Sequence, residues 1–348
     1  MRAAPSLCYN KYLYKTLQYV RKKVFTIEII TVADLRKNYG GFNAVNGINF
    51  SVRQGEIFGF LGPNGAGKTS TINMIIGLSR PTGGHILIDG IDVRKQTKKA
   101  QSIIGVVADE SNCYDEMDGF DNLCFCASLY GMKKGERELK ARQLLEQFDL
   151  AGAGKRPFKK YSKGMRRKLT IAAAIIHSPR ILFLDEPTTG IDVESAWQIR
   201  DLIVDLKNRG TTVFITTHYI EDAERICDRI AFIVGGKIVM AGTVPELMEN
   251  ISHGHMVQIA ADEEIEEFAD ELGTIFIECD INVKSKNSLV ITSEKRIPLL
   301  PVMKFFNERG IEIFEAKELR PTLEDVFVKV TGIESAKLKK DKDKGGDN

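Results

Sequence analysis

The sequence has no apolar run approaching the ~18 residues that cross a bilayer as a helix. If the protein serves a membrane, it does so from outside the lipid. A signal-peptide core is also missing. Residues 1–27 instead hold Arg2, Lys11, Lys15, Arg21, Lys22 and Lys23 and no acidic residue. Leu13, Leu17, Val20 and Val24 fall on one helical face of that stretch. It reads either as a short basic amphipathic helix for anionic lipid or a partner, or as a disordered arm. Cysteines are few, six in 348 residues, with no paired spacing. That excludes a disulfide scaffold and predicts reduced thiols in a cytosolic setting. Cys124 and Cys126 form a C-x-C inside an apolar helical stretch, which reads as helix packing rather than a metal site. Net charge is small, +2, and gives no general drive toward nucleic acid.

What is present is concentrated in one stretch. Gly62, Pro63, Asn64, Gly65, Ala66, Gly67, Lys68 and Thr69 fit G-x-x-x-x-G-K-[ST] in full, and Ser70 follows. The apolar run 57–61 precedes them, and Ile72, Ile75, Ile76 and Leu78 at helical spacing follow. So the loop stands between a strand and a helix start. Gly62, Gly65 and Gly67 let successive backbone N–H groups converge on phosphate oxygens, and the helix N-terminus adds favourable partial charge. Lys68 is placed to reach the outer phosphates, and the Thr69 hydroxyl to hold Mg²⁺.

A second run, Ile181-Leu182-Phe183-Leu184-Asp185-Glu186, is a buried strand that ends in two carboxylates. Asp185 is the candidate for the Mg²⁺ shell, and Glu186 for the base that accepts a proton from water. His218 follows the strand 212–216. It reads equally as a γ-phosphate contact or as a cap on the helix 219–227. Tyr161-Ser162-Lys163-Gly164-Met165 opens a helix over 166–176, with Ser162 as its N-cap.

Elsewhere, residues 28–243 alternate strands and helices. Strands are expected at 27–32, 46–52, 56–61, 85–88, 103–107, 181–184, 212–216 and 229–234. Gly235-Gly236 joins the last to 237–240 as a hairpin. Between Asp115 and Lys160 only helices are expected, at 120–130 and 136–148. From His253 the pattern becomes a small α+β region. It has strands at 256–260, 274–277, 288–292 and 311–315 and helices at 263–272 and 298–308. The length suggests roughly two domains at about 150 residues each. The expected layout is a basic arm at 1–27, a phosphate-binding α/β domain at 28–250 with a helical subdomain over about 115–177, an accessory domain at 251–332 and a disordered charged tail at 333–348.

Taken together these motifs resemble the ATP-binding subunit of an ABC transporter. The carriers are the phosphate loop, Ser162 to Met165, the strand 181–186, Gly190-Ile191-Asp192, His218 and Tyr39, all in family order. The run Arg320-Pro321-Thr322-Leu323-Glu324-Asp325-Val326-Phe327 is similar to the C-terminal extension of the drug-export (ABC-2-like) branch. The resemblance implies an α/β fold: a P-loop NTPase ABC cassette with a mostly parallel sheet, an antiparallel β part and a helical subdomain. It implies that Tyr39 stacks on adenine and that Ser162 and Gly164 contact ATP across a dimer interface. The cofactors it implies are ATP and Mg²⁺. The partners are a second ATP-binding subunit, identical or not, and a membrane permease on whose cytoplasmic face the protein sits. No nucleic acid is expected. Asp109 stands where the family carries a glutamine and is read as a third metal ligand. A ribosomal or DNA-directed ABC ATPase fits less well. There is one phosphate loop rather than two, and no long coiled coil separates Lys68 from Ser162.

Overall fold

The computed structural model describes residues 27–109, 113–249, 255–319 and 322–332. Residues 1–26 of the expected basic arm over 1–27, the tail over 333–348 and the Arg320-Pro321 pair lie outside them. The described residues divide into two compact units. One holds those up to Phe58, with Gly67–Thr216 and Gly235–Lys237. The other holds Gly59–Ala66, Thr217–Val234 and those from Ile238 onward.

The first unit opens on two long antiparallel strands, β1 (Glu28–Tyr39) and β2 (Phe42–Arg53), joined at Gly40-Gly41. Next come β3 (Ile57–Leu61), helix α1 (Lys68–Ile75), β4 (Gly83–Ile88), β5 (Ile91–Asp92), α2 (Thr97–Gln101) and β6 (Ile104–Val107). An antiparallel sheet has the order β2-β1-β4-β5. Helices α3 (Gly119–Leu129), α4 (Lys134–Gln147) and α5 (Lys163–Ile175) follow, and an isolated bridge joins Asp118 to Pro157. Asn122 is buried and ties the α3 entry together. Its amide accepts from Tyr114 N and donates to the Tyr114, Met117 and Asp118 carbonyls. Then come β7 (Ile181–Asp185), α6 (Val193–Asn208) and β8 (Thr212–Thr217).

β6, β7 and β8 run parallel, with Val107 opposite Leu184 and Asp185 opposite Thr216. Every residue of β7 and β8 is buried. That explains the continuous apolar run in β7, because a strand covered on both faces has no polar side to alternate with. Phe214 packs on Phe183, Phe58 and Phe50, with ring centroids 5.5, 5.6 and 6.0 Å away. These rings anchor the strand ends from which Asp185 and Thr216 emerge.

The second unit carries α7 (Ile220–Ile226), β9 (Arg229–Val234), most of β10 (Lys237–Thr243) and α8 (Val244–Glu249). β9 and β10 are neighbours, and in the first unit β8, β7 and β6 lie side by side in that order. The C-terminal region adds β11 (His255–Ala261), α9 (Ala269–Ile275), β12 (Cys279–Ser285), β13 (Ser288–Ser293), α10 (Leu299–Asn307), β14 (Ile313–Leu319) and α11 (Leu323–Thr331). Its four strands are antiparallel in the order β12-β13-β11-β14. Val257, Ile259, Leu289, Ile291, Phe305 and Phe306 form its core.

One expected strand is wrong. Residues 274–275 end helix α9, where the Thr274 hydroxyl donates to the Glu271 carbonyl. The strand is β12 instead. There Cys279, Ile281 and Val283 alternate with Asp280, Asn282 and Lys284, a period-2 pattern that places it after 278.

Candidate active site

Gly67 is the N-cap of α1 and has φ +106°, a conformation that would strain a side chain there. The turn aims Lys68 inward, and its side chain is only 6% exposed. Lys68 Nζ lies 3.4 Å from Glu186 Oε1. The Thr69 hydroxyl donates to Asp185 Oδ2 at 3.3 Å, and the Thr216 hydroxyl donates to Asp185 Oδ1. So α1, β7 and β8 bring an ammonium, two carboxylates and two hydroxyls into one cluster.

Glu186 has φ +48°, rare for a residue with a side chain. Such a backbone costs on the order of 1–3 kcal/mol and persists where its surroundings hold it. Here the Glu186 N–H donates to the Thr216 carbonyl at 3.0 Å, and the Thr189 hydroxyl donates to Glu186 Oε2 at 3.2 Å. A carboxylate one residue past the strand end is thereby turned toward Lys68.

Behind it stands a residue that sequence reasoning missed. Arg167 on α5 is 9% exposed and donates to the carbonyls of Ala108 (2.8 Å), Asp109 (2.9 Å) and Glu186 (3.4 Å). Burial pulls its pKa down from the ordinary guanidinium value, while the charges of Asp109, Asp185 and Glu186 pull it back up. A signal was available. Gly164, Arg167, Thr170, Ile171 and Ala174 share the buried stripe of α5, so a charge falls on an apolar face. Thr216 was also missed, and its signal is a hydroxyl at the carboxyl end of a buried strand.

The other expected site residues are placed as follows. Asp109 Oδ1 lies 3.6 Å from Arg167 Nη2, and its side chain is 60% exposed. Ser162 is the N-cap of α5, its hydroxyl accepting from Met165 N at 3.2 Å. Gly164 is buried against Ser195, whose Oγ would lie 2.2 Å from an added Cβ. Tyr39 ends β1 half-exposed, with Lys37 Nζ 4.7 Å from its ring centre. Gly62, Pro63, Asn64, Gly65 and Ala66 belong to the second unit, where Gly62 packs closely on the Ile233 carbonyl. His218 is also in that unit, its ring 4.1 Å from that of Tyr219. Tyr219, not His218, is the N-cap of α7, and no side-chain cap bond forms there. Ser70 is the third residue of α1.

The family model described as "ABC transporter" matches residues 45–189. The Linearmycin resistance ATP-binding protein of Bacillus subtilis (strain 168) is 33% identical over 308 residues, spanning 87% of this chain and 98% of that protein. The chain belongs to the ABC transporter ATP-binding family. The Doxorubicin resistance ATP-binding protein of Mycobacterium tuberculosis is 34% identical over 308 residues, 87% of this chain and 93% of the relative. Among solved structures, an ATP-binding subunit of an ABC transporter superposes with a TM-score of 0.59 at 28% identity, covering 64% of this chain and 92% of that one. An ATP-binding cassette solved as a dimer with ADP and Pi gives a TM-score of 0.57 at 25% identity, covering 62% and 98%. This ABC subunit is thus an ATPase with the P-loop cassette fold. Among the described residues no helix is long and apolar enough to cross a membrane.

Proposed function

We propose that the protein is the ATP-driven motor of a membrane exporter. The observation that carries this is the cluster of Lys68, Thr69, Asp185 and Glu186 on adjoining strand and helix ends. Lys68 fits the outer phosphates as a compact buried charge, and the Gly62–Gly67 backbone supplies N–H donors. Glu186 is the base that takes a proton from the attacking water. Its contact with Lys68 leaves a carboxylate that shifts to water once the lysine turns to phosphate. Thr69 and Asp185 fit Mg²⁺, because both present oxygen alone, the donor type that ion takes, and its remaining positions go to water and phosphate. Bound there, Mg²⁺ would neutralise charge developing on the phosphates.

In this reading two copies close on two ATPs. Tyr39 stacks on adenine, and His218 holds the γ-phosphate. Ser162 and Gly164 present the positive end of α5 to the nucleotide held by the other copy. ATP favours the closed pair because it binds that pair better, which is all a ligand can do to an equilibrium. Residues 28–250 make the ATP-binding domain and 251–332 the accessory domain. A permease at the cytoplasmic face of the membrane would feel closure through α3 and α4. Relatives named for linearmycin and doxorubicin resistance support export as the direction.

The test is Glu186→Gln. It should hydrolyse ATP at least about 10²-fold more slowly. It should also elute as a dimer with ATP and Mg²⁺ and as a monomer with ADP. A variant that stays monomeric with ATP while the wild type turns over would contradict the clamp.

A further inference from the structure

Arg167 has a role that the nucleotide contacts do not use. Its guanidinium gathers three carbonyls from two separate segments, the loop after β6 and the turn after β7. It also meets the Asp109 carboxylate at 3.6 Å. A planar fork with five donors can serve this many acceptors at once, whereas an ammonium cannot. A guanidinium 9% exposed is costly unless it is so paired, which makes the arrangement nearly fixed. The Glu186 backbone held at its carbonyl is the one with φ +48°.

We propose that Arg167 is a positioning residue for hydrolysis, clasping the Glu186 turn and the Asp109 loop to the helix that Ser162 opens, and that the Asp109 carboxylate serves this clasp rather than a metal ion. Two consequences follow from the placement. First, the extra negative charge of Asp109 is offset locally, so it does not burden the phosphates. Second, one side chain joins the base of one nucleotide site to the helix that serves the opposite site. This rests on Glu186 being the base, and a separate control tests that.

The experiment measures steady-state ATPase of the full chain and binding of a fluorescent ATP analogue titrated with Mg²⁺. The variants are Arg167→Gln, Arg167→Lys, Asp109→Asn and the Arg167→Gln/Asp109→Asn double. Displacing the base should cut kcat of Arg167→Gln by roughly 10- to 100-fold, the cost of about an ångström of misplacement, with KM little changed. Arg167→Lys should not recover the wild-type rate, since it lacks the fork. Asp109→Asn alone should lower kcat and leave the Mg²⁺ half-saturation of analogue binding unchanged. In the double variant it should add no further loss.

An unchanged kcat in Asp109→Asn, additive losses in the double, or a raised KM with intact kcat would overturn the clasp. So would a Mg²⁺ half-saturation weakened about tenfold by Asp109→Asn, a loss of about 1.4 kcal/mol, since that would make Asp109 a metal ligand. If Arg167→Gln does not fold, Asp109→Asn decides alone, because its side chain is exposed. Wild-type turnover in Glu186→Gln would sink the base assignment and the clasp with it. Wild-type rates in the Arg167 and Asp109 variants, with Glu186→Gln dead, would sink the clasp only.

Discussion

The ion pair of Lys68 and Glu186 sets the residue-scale chemistry. Both side chains are largely buried, with Lys68 Nζ 3.4 Å from Glu186 Oε1, and in the proposed mechanism a phosphate competes for the lysine. Replacing Lys68 with Ala should cut kcat by about 10²–10³-fold, the usual loss on removing one preorganised donor to developing charge. Stopped-flow or steady-state ATPase assays check it, and a loss below tenfold would mean that Lys68 is a structural cation. Much of this was legible. The run from Gly62 to Thr69 and the Asp185-Glu186 strand end are short-range patterns, and local geometry follows from them. Arg167 was not legible because its partners Ala108, Asp109 and Glu186 lie far along the chain. A lone arginine on a helix normally faces water. Only its position on the stripe with Thr170 and Ile171 marks it.

At the scale of elements, α3 meets α5 through two residues just beyond their ends. The rings of Tyr130 and His177 stack 3.5 Å apart at 5°. His177 Nε2 lies 3.0 Å from the Ile104 carbonyl, while its Nδ1 is buried without a partner. Burial, chiefly, holds its pKa below the ordinary value of 6.5; the nearby Lys140 works in the same direction, against the Ile104 hydrogen bond. A depressed folded-state pKa means that the unfolded chain takes the proton first. Stability from this site is therefore full above about pH 6.5 and is lost as the pH falls below it. The thermal midpoint of the wild type should drop more between pH 7 and pH 5.5 than that of His177→Gln, measured by circular dichroism. Equal drops would remove the histidine from the account. Element types were mostly readable, because β7 is a continuous apolar run and α5 a capped amphipathic helix. The error at 274–277 arose where Thr274 and Ile275, good strand formers, complete a helix that Leu272 anchors in the core. Tertiary burial outweighed local preference there.

For the whole molecule, the sequence spoke clearly about the nucleotide end and barely about the rest. The cassette motifs are tied to phosphate chemistry, which demands particular residue types. The C-terminal sheet of β11 to β14 is held by generic apolar packing, and its sequence names no ligand. The coupling of ATP turnover to a membrane protein is the centre of the proposed function. The most direct measurement is affinity purification of Glu186→Gln from detergent-solubilised membranes of its own cells, with ATP and Mg²⁺, followed by mass spectrometry. A membrane protein with several spans should copurify in ATP-dependent amounts. Ribosomal proteins or nucleic acid, with no membrane protein, would contradict it.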